Sequence, residues 1–159
     1  MELINVISGV AALEPRESMT NLVTRHTIAE EHRKFRNSNI LLVEDMVANQ
    51  KLEMIMLKKL GYSVELAING EQAVEKCNTK KYDLILMDCQ MPVMDGYEAT
   101  EQIKKSSILN KNTTIIAMTA YAMEGDREKC FTAGMDDYLS KPITMSVLEK
   151  KIGKCLGNA

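Results

Sequence analysis

Four polar side chains, each at the end of an apolar run, carry the chemistry of this sequence. Ile40-Leu41-Leu42-Val43 runs into Glu44-Asp45, Leu84-Ile85-Leu86-Met87 into Asp88, and Ile115-Ile116-Ala117-Met118 into Thr119. Three carboxylates brought together repel one another and resist ionisation unless a cation is present. An all-oxygen site with few protein ligands suits Mg²⁺, with Mn²⁺ as its substitute, because such an ion keeps several waters and binds phosphate oxygens at the same time. Lys141, in Tyr138-Leu139-Ser140-Lys141-Pro142, supplies a second positive group. A carboxylate nucleophile, a metal, a lysine and a hydroxyl can together hold the equatorial oxygens of a phosphoryl group in transit. Phosphoryl transfer onto an aspartate is the chemistry this set points to. Each residue alone also has a structural role open to it, Asp45 as a cap of the first helix and Thr119 as a cap of the loop after its strand. Their coincidence at four strand ends is what favours a site.

The elements that must position these groups follow from periodicity. Runs of four aliphatic residues without polar alternation suit strands buried on both faces, hence a parallel sheet covered by helices. Strands are expected at Asn39 to Val43, Ser63 to Ala67, Leu84 to Met87, Thr114 to Met118 and Asp137 to Leu139. Between them, a helix from Val47 to Leu60 presents Leu52, Ile55, Met56 and Leu60 as its apolar face and stops at Gly61. The helix after the Asn69-Gly70 turn turns Ala73, Val74 and Cys77 inward, and one opening at Asp95-Gly96 buries Ala99 and Ile103. Glu124 to Ala133 forms a helix capped by Gly134, and a last helix from near Thr144 carries Leu148, Ile152, Cys155 and Leu156 on one stripe. Five such units imply right-handed crossovers and a doubly wound α/β fold with a five-stranded parallel sheet, whose functional groups collect at the C-terminal strand ends.

The 159 residues, 45% of them hydrophobic, fit one domain with an appendage. Residues 39–157 form that domain. Residues 1–38 read as a linker or the remnant of a preceding domain, with Leu3, Ile4, Ile7 and Val10 at the spacing of a short helix. A net charge of −2 gives no field to attract nucleic acid or an anionic membrane. No apolar stretch approaches the ~20 residues that span a bilayer, and the N-terminus lacks the form of a secretory signal. Cys77, Cys89, Cys130 and Cys155 are too far apart in sequence for a CxxC metal or redox pair and read as reduced thiols of a cytoplasmic protein. Cys89 alternates away from Asp88, and His26 and His32, in a polar stretch, read as exposed.

Four motifs, Leu41-Leu42-Val43-Glu44-Asp45, Leu86-Met87-Asp88-Cys89-Gln90-Met91-Pro92-Val93-Met94-Asp95-Gly96, Ala117-Met118-Thr119-Ala120 and Asp137-Tyr138-Leu139-Ser140-Lys141-Pro142, occur in that order. They closely resemble the receiver domains of two-component signalling, most of all those of hybrid sensor histidine kinases. The resemblance covers residues 39 to about 157 and implies the flavodoxin-like (βα)5 receiver fold. It implies that Asp88 accepts a phosphoryl group from a phosphohistidine, with Asp45, Asp88 and the backbone carbonyl of Gln90 binding Mg²⁺ and Glu44 assisting through water. Thr119 and Lys141 would contact the phosphoryl oxygens, and Thr119 and Tyr138 would form a conformational switch. Ala120 leaves the approach open, Gln90 and Tyr121 tune hydrolysis of the acyl phosphate, and Lys141-Pro142 is expected to be a cis peptide. Glu44 stands where many members carry Asp. The implied partner is a histidine kinase or a histidine phosphotransfer domain, without nucleic acid or membrane contact by this segment. The chain itself would be a monomer or weak dimer, drawn from a hybrid kinase whose parent is compatible with membrane anchoring, or else a stand-alone single-domain response regulator. An Asp-nucleophile phosphohydrolase is less favoured, because Gln90 occupies the position where that class wants a second Asp. A dinucleotide site is disfavoured because no glycine-rich turn follows the first strand.

Overall fold

The computed structural model describes residues 37–121 and 123–157. The helix and linker expected before Asn37, and His26 and His32, lie outside them. The strands are β1 (Asn39–Val43), β2 (Ser63–Ala67), β3 (Leu84–Asp88), β4 (Thr114–Thr119) and β5 (Asp137–Ser140). The helices are α1 (Val47–Lys59), α2 (Gly70–Thr79), α3 (Gly96–Ser106), α4 (Glu124–Ala133) and α5 (Met145–Cys155). All strand pairs are parallel and the order is β2-β1-β3-β4-β5. The chain therefore reverses direction across the sheet between β1 and β3, where an open α/β sheet leaves a crevice at the strand ends. Among the described residues no helix is long and apolar enough to cross a membrane.

The core has two faces because strand side chains alternate. Leu41, Val43, Ile85, Met87, Ile115 and Ala117 pack with Ala73 and Cys77 of α2, Ala99 and Ile103 of α3, and Cys130 of α4. Ile40, Leu42, Leu84, Leu86, Ile116 and Met118 point the other way and are equally buried, as are Met56 and Leu57 of α1 and Leu148 and Ile152 of α5. Helix ends are set locally. Asn69 and Asp95 cap α2 and α3 by accepting from the backbone N–H groups of Gln72 and Glu98, and Gly134 closes α4 at φ 104°.

Helix α1 is rotated from its expected orientation. Leu52 and Ile55 are more than half exposed, and the buried residues are Gln50, Glu53, Met56 and Leu57. Apolar residues occur all around this helix, so periodicity does not single out a face. The inward side combines Met56 and Leu57 with a polar contact: the Gln50 amide donates to the carbonyl oxygen of Glu44 at 2.7 Å, a buried acceptor that needs a partner. At the far end of α5, Cys155 and Leu156 are only half-buried.

A fully buried Asn110 ties the α3–β4 connection to the end of α2 and the α2–β3 connection. Its Oδ1 accepts from the Tyr82 N–H at 2.9 Å and the Thr113 hydroxyl at 3.0 Å, and its Nδ2 donates to the carbonyls of Cys77 and Lys80, both at 2.7 Å. All its hydrogen-bonding capacity is used, so truncation strands several buried groups at once. Asn110→Ala is expected to lower unfolding free energy by roughly 2–4 kcal/mol, read from the urea midpoint at unchanged slope.

Candidate functional site

The pocket lies at the C-terminal ends of β1, β3, β4 and β5. Glu44 leaves β1 completely buried, while Asp88, the last residue of β3, and Thr119, the last of β4, are each 5% exposed. Glu44, Asp45 and Asp88 each offer a carboxylate oxygen, and these oxygens all lie within 4.8 Å of one another. The Lys141 ammonium reaches across from beyond β5, 2.8 Å from Glu44 Oε2 and 3.2 Å from Asp88 Oδ2. Its backbone is anchored by an N–H bond to the Thr119 carbonyl at 2.8 Å, next to the cis Lys141-Pro142 peptide. The strand ends thus bring together the five groups singled out in the sequence.

Local bonds hold two of the three carboxylates in place. Glu44 Oε1 accepts from the Met46 N–H at 3.1 Å, and Asp88 Oδ1 from the Gln90 N–H at 3.2 Å. Asp45 does not cap α1, whose N-cap is Met46 without a side-chain bond, so its carboxylate is left to the cluster. The approach of α3 to Asp88 depends on Gly96, since a Cβ there would collide with the Asp88 carbonyl oxygen. The carboxyl oxygens are hard donors of the kind a divalent cation takes, and the set fits Mg²⁺ or Mn²⁺ in chemistry and spacing.

Burial, and then the charge of Glu44, push the Asp88 carboxyl up to about 6, with Lys141 opposing. Burial alone works to lower the Lys141 pKa, but its hydrogen bond to Glu44 and the charges of Asp88 and Glu44 outweigh it, so the net shift is upward and the ammonium is secure. A group the sequence reading missed stands close by. Glu53 on α1 is 5% exposed, its Oε2 has no hydrogen-bond partner, and burial followed by the charge of Glu44 raises its pKa to about 7. Nothing in the sequence sets it apart from other charged helix residues, and only the rotation of α1 turns it inward.

The remaining residues take varied positions. The Thr119 hydroxyl donates to the Tyr121 carbonyl and accepts from the Tyr121 N–H, both at 3.1 Å, so it has the loop-capping role open to it. Gln90, Ala120 and Tyr121 are exposed around the mouth. Tyr138 is half-buried, with the Arg127 guanidinium 4.6 Å and the Lys151 ammonium 5.4 Å from its ring centroid. Cys89 points away from the pocket, its sulfur 3.9 Å from that of Cys130, and burial pushes its thiol up to about 12, which leaves it inert as a nucleophile. Val93 was also missed: its φ is 74°, and the Met94 N–H donates to the Pro92 carbonyl at 2.9 Å across it. This is the strained, positive-φ form of a three-residue turn, adopted by a β-branched residue.

Comparison with known proteins bears on this geometry. A sequence profile described as a response regulator receiver domain matches residues 40–153. The chain is 47% identical over 117 residues to hybrid signal transduction histidine kinase G of Dictyostelium discoideum, covering 72% of this chain and 3% of that protein. It is 47% identical over 104 residues to the signal transduction histidine-protein kinase BarA of Shigella flexneri, covering 65% and 11%. The chain thus spans a small part of these relatives. Among solved structures, the receiver domain of sensor histidine kinase PA1611 from Pseudomonas aeruginosa PAO1, with magnesium coordinated in its active-site cleft, is 45% identical with a TM-score of 0.71, covering 76% of this chain and 98% of that one. The receiver domain of Ssk1 from Saccharomyces cerevisiae, crystallised with the histidine phosphotransfer protein Ypd1, is 36% identical with a TM-score of 0.71, covering 76% and 89%.

Two substitutions test the strain and the burial just described. Val93→Gly is expected to raise unfolding free energy by about 0.5–1 kcal/mol, because relief of the positive φ exceeds the added chain entropy, and denaturant titration measures it. Glu53 has a folded pKa of about 7 against 4.5 for an ordinary glutamate, so between those values the folded state holds the extra proton. Glu53 therefore lowers the stability of the metal-free protein as pH rises through that window, by on the order of 3 kcal/mol on its own account, and Asp88, raised to about 6, adds a fall in the lower part of the same window. Glu53→Gln should reduce the slope of a plot of Tm against pH most clearly between about pH 6 and 7, where the Asp88 contribution has ended.

Proposed function

This chain belongs to the response regulator receiver domain family, a receiver of two-component phosphorelays, and on that premise we propose that Asp88 is its phosphoacceptor. The observation that carries the reading is the Lys141 ammonium held between Glu44 and Asp88, beside three carboxylates within reach of one cation. Asp45, Asp88 and the backbone carbonyl of Gln90 would hold Mg²⁺, with Glu44 acting through water. The magnesium in the cleft of the Pseudomonas receiver supports that choice of ion. When bound, the ion supplies neutralisation of charge on the phosphoryl oxygens.

The residues of the chain account for the rest of the transfer. With its pKa near 6, Asp88 is ionised at neutral pH and is a competent nucleophile. The bond from phosphorus to a donor histidine nitrogen breaks as the bond to an Asp88 carboxylate oxygen forms. Lys141, 3.2 Å from Asp88, turns an N–H toward an arriving phosphoryl oxygen, and the Thr119 hydroxyl leaves the Tyr121 backbone for another. The space so vacated admits the Tyr138 ring, which makes Thr119 and Tyr138 the switch. Ala120 keeps the mouth open, and Gln90 and Tyr121 flank the path of the water that later hydrolyses the acyl phosphate.

The donor is a phosphohistidine on a histidine kinase or histidine phosphotransfer domain, a class supported by the Ssk1 complex with Ypd1. Met46 and Val47 at the start of α1, and Leu52 and Ile55 along its outer side, are exposed apolar residues that begin directly beside Asp45, and they offer such a domain a dry contact next to the pocket. The parent protein is a hybrid histidine kinase in this reading, as its curated relatives are named.

Incubation of the full chain with Mg²⁺ and acetyl phosphate should yield one base-labile phosphate per molecule by intact mass. Chelation of the metal or Asp88→Asn should abolish it. Lys141→Ala should leave Mg²⁺ affinity nearly unchanged and slow phosphorylation about a hundredfold. Equal loss of both in Lys141→Ala, or sustained turnover on phosphomonoesters, would overturn the assignment.

A further inference from the structure

Two cations lie against the Tyr138 ring, and they are not equivalent. Lys151 of α5 divides its charge with Asp137, 2.8 Å from its Nζ. The Arg127 guanidinium is closer to the ring, 4.6 Å from the centroid against 5.4 Å for Lys151, and a planar guanidinium on a ring is held by the ring's quadrupole and by stacking. Arg127 itself is exposed, on α4. Tyr138 pairs with Ala117, and Thr119 with Ser140, so side-chain alternation places Ala117, Thr119 and Tyr138 on one face of the sheet. Ala117, the residue of that face between them, carries only a methyl group. The two bonds between the Thr119 hydroxyl and the Tyr121 backbone fix the start of the connection that leads into α4. A hydroxyl drawn toward a phosphoryl oxygen gives up both bonds, and this acts on the same helix that carries the cation on the ring.

Resting on the phosphoacceptor reading of Asp88 and the switch role of Tyr138, we infer that Arg127 is a positioning residue for the switch: its guanidinium holds the Tyr138 ring in the resting place and thereby sets how readily the receiver responds. A contact made in one of two arrangements shifts their equilibrium by the strength of that contact and no more. For a cation on a partly exposed ring this amounts to roughly three- to fivefold in the equilibrium constant.

The test is side-chain NMR of Tyr138 in the full chain, titrated with beryllofluoride at saturating Mg²⁺, for the wild type, Arg127→Gln and Arg127→Lys. In the ligand-free protein, Arg127→Gln should move the ring resonances toward their beryllofluoride-bound positions and lower the half-saturating beryllofluoride concentration roughly three- to fivefold. Arg127→Lys, which keeps the charge but not the plane, should fall between. If the wild-type ring responds to beryllofluoride while Arg127→Gln leaves both the free resonances and the half-saturation point unchanged, the clamp is refuted and the phosphoacceptor reading stands. If the wild-type ring does not respond at all, the switch reading is refuted and the clamp falls with it.

Discussion

The pocket turns on one shared contact, the Lys141 ammonium between Glu44 and Asp88. Glu44 is fully buried and Asp88 nearly so, and the Asp88 carboxyl is pushed up by burial and by the charge of Glu44, with Lys141 opposing. Lys141 bonds one at 2.8 Å and lies 3.2 Å from the other, and its own pKa rises in consequence. The two carboxylates and the lysine come from strand ends separated by 97 positions at the widest. The folded sheet is what holds them at contact distance. The lysine is shared between the two carboxylates, so its charge is not committed to either one alone.

The sheet order explains why the groups meet where they do. Chain direction reverses between β1 and β3, so the loops after these strands diverge and open a crevice. Glu44 and Asp45 follow one strand and Asp88 ends the other. Around this crevice the backbone departs from unstrained geometry: Val93 at φ 74° and the close approach of Gly96 to the Asp88 carbonyl shape the loop after β3. Strain of this kind persists when the surroundings over-determine it, and it gathers near sites more than in the core. The stable counterweight is at the opposite end of the sheet, where Asn110 satisfies four partners at once.

The legibility of the sequence differed from element to element. Strands β1 and β2 and helix α4 have the expected boundaries, and β3, β4 and β5 extend one residue further, to Asp88, Thr119 and Ser140. Strands β1, β3 and β4 were readable because a strand buried on both faces leaves an unbroken apolar run, whereas β2 and β5, at the sheet edges, are half-exposed and carry polar residues. Helix α1 was not readable in its orientation, since apolar residues surround it, and the side that faces in carries Gln50, bonded to the Glu44 carbonyl, together with Met56 and Leu57. Glu53 could not have been singled out for the same reason: its burial follows from that rotation. Nor does sequence reveal the turn at Val93, because a β-branched residue is the last that local preference would place at positive φ.

By itself the sequence determined the succession of strands and helices, the parallel sheet they imply and the set of acidic, hydroxyl and lysine residues at its strand ends. These are consequences of short-range pattern: aliphatic runs, caps and the polar residue at which each run stops. Tertiary structure alone decided distances and protonation, placing Lys141 between Glu44 and Asp88, leaving the Thr119 hydroxyl on the Tyr121 backbone, turning Glu53 inward and seating Arg127 on the Tyr138 ring. The physical reason is that desolvation and Coulomb interaction depend on separations in space between residues far apart in the chain, and no local periodicity encodes those separations.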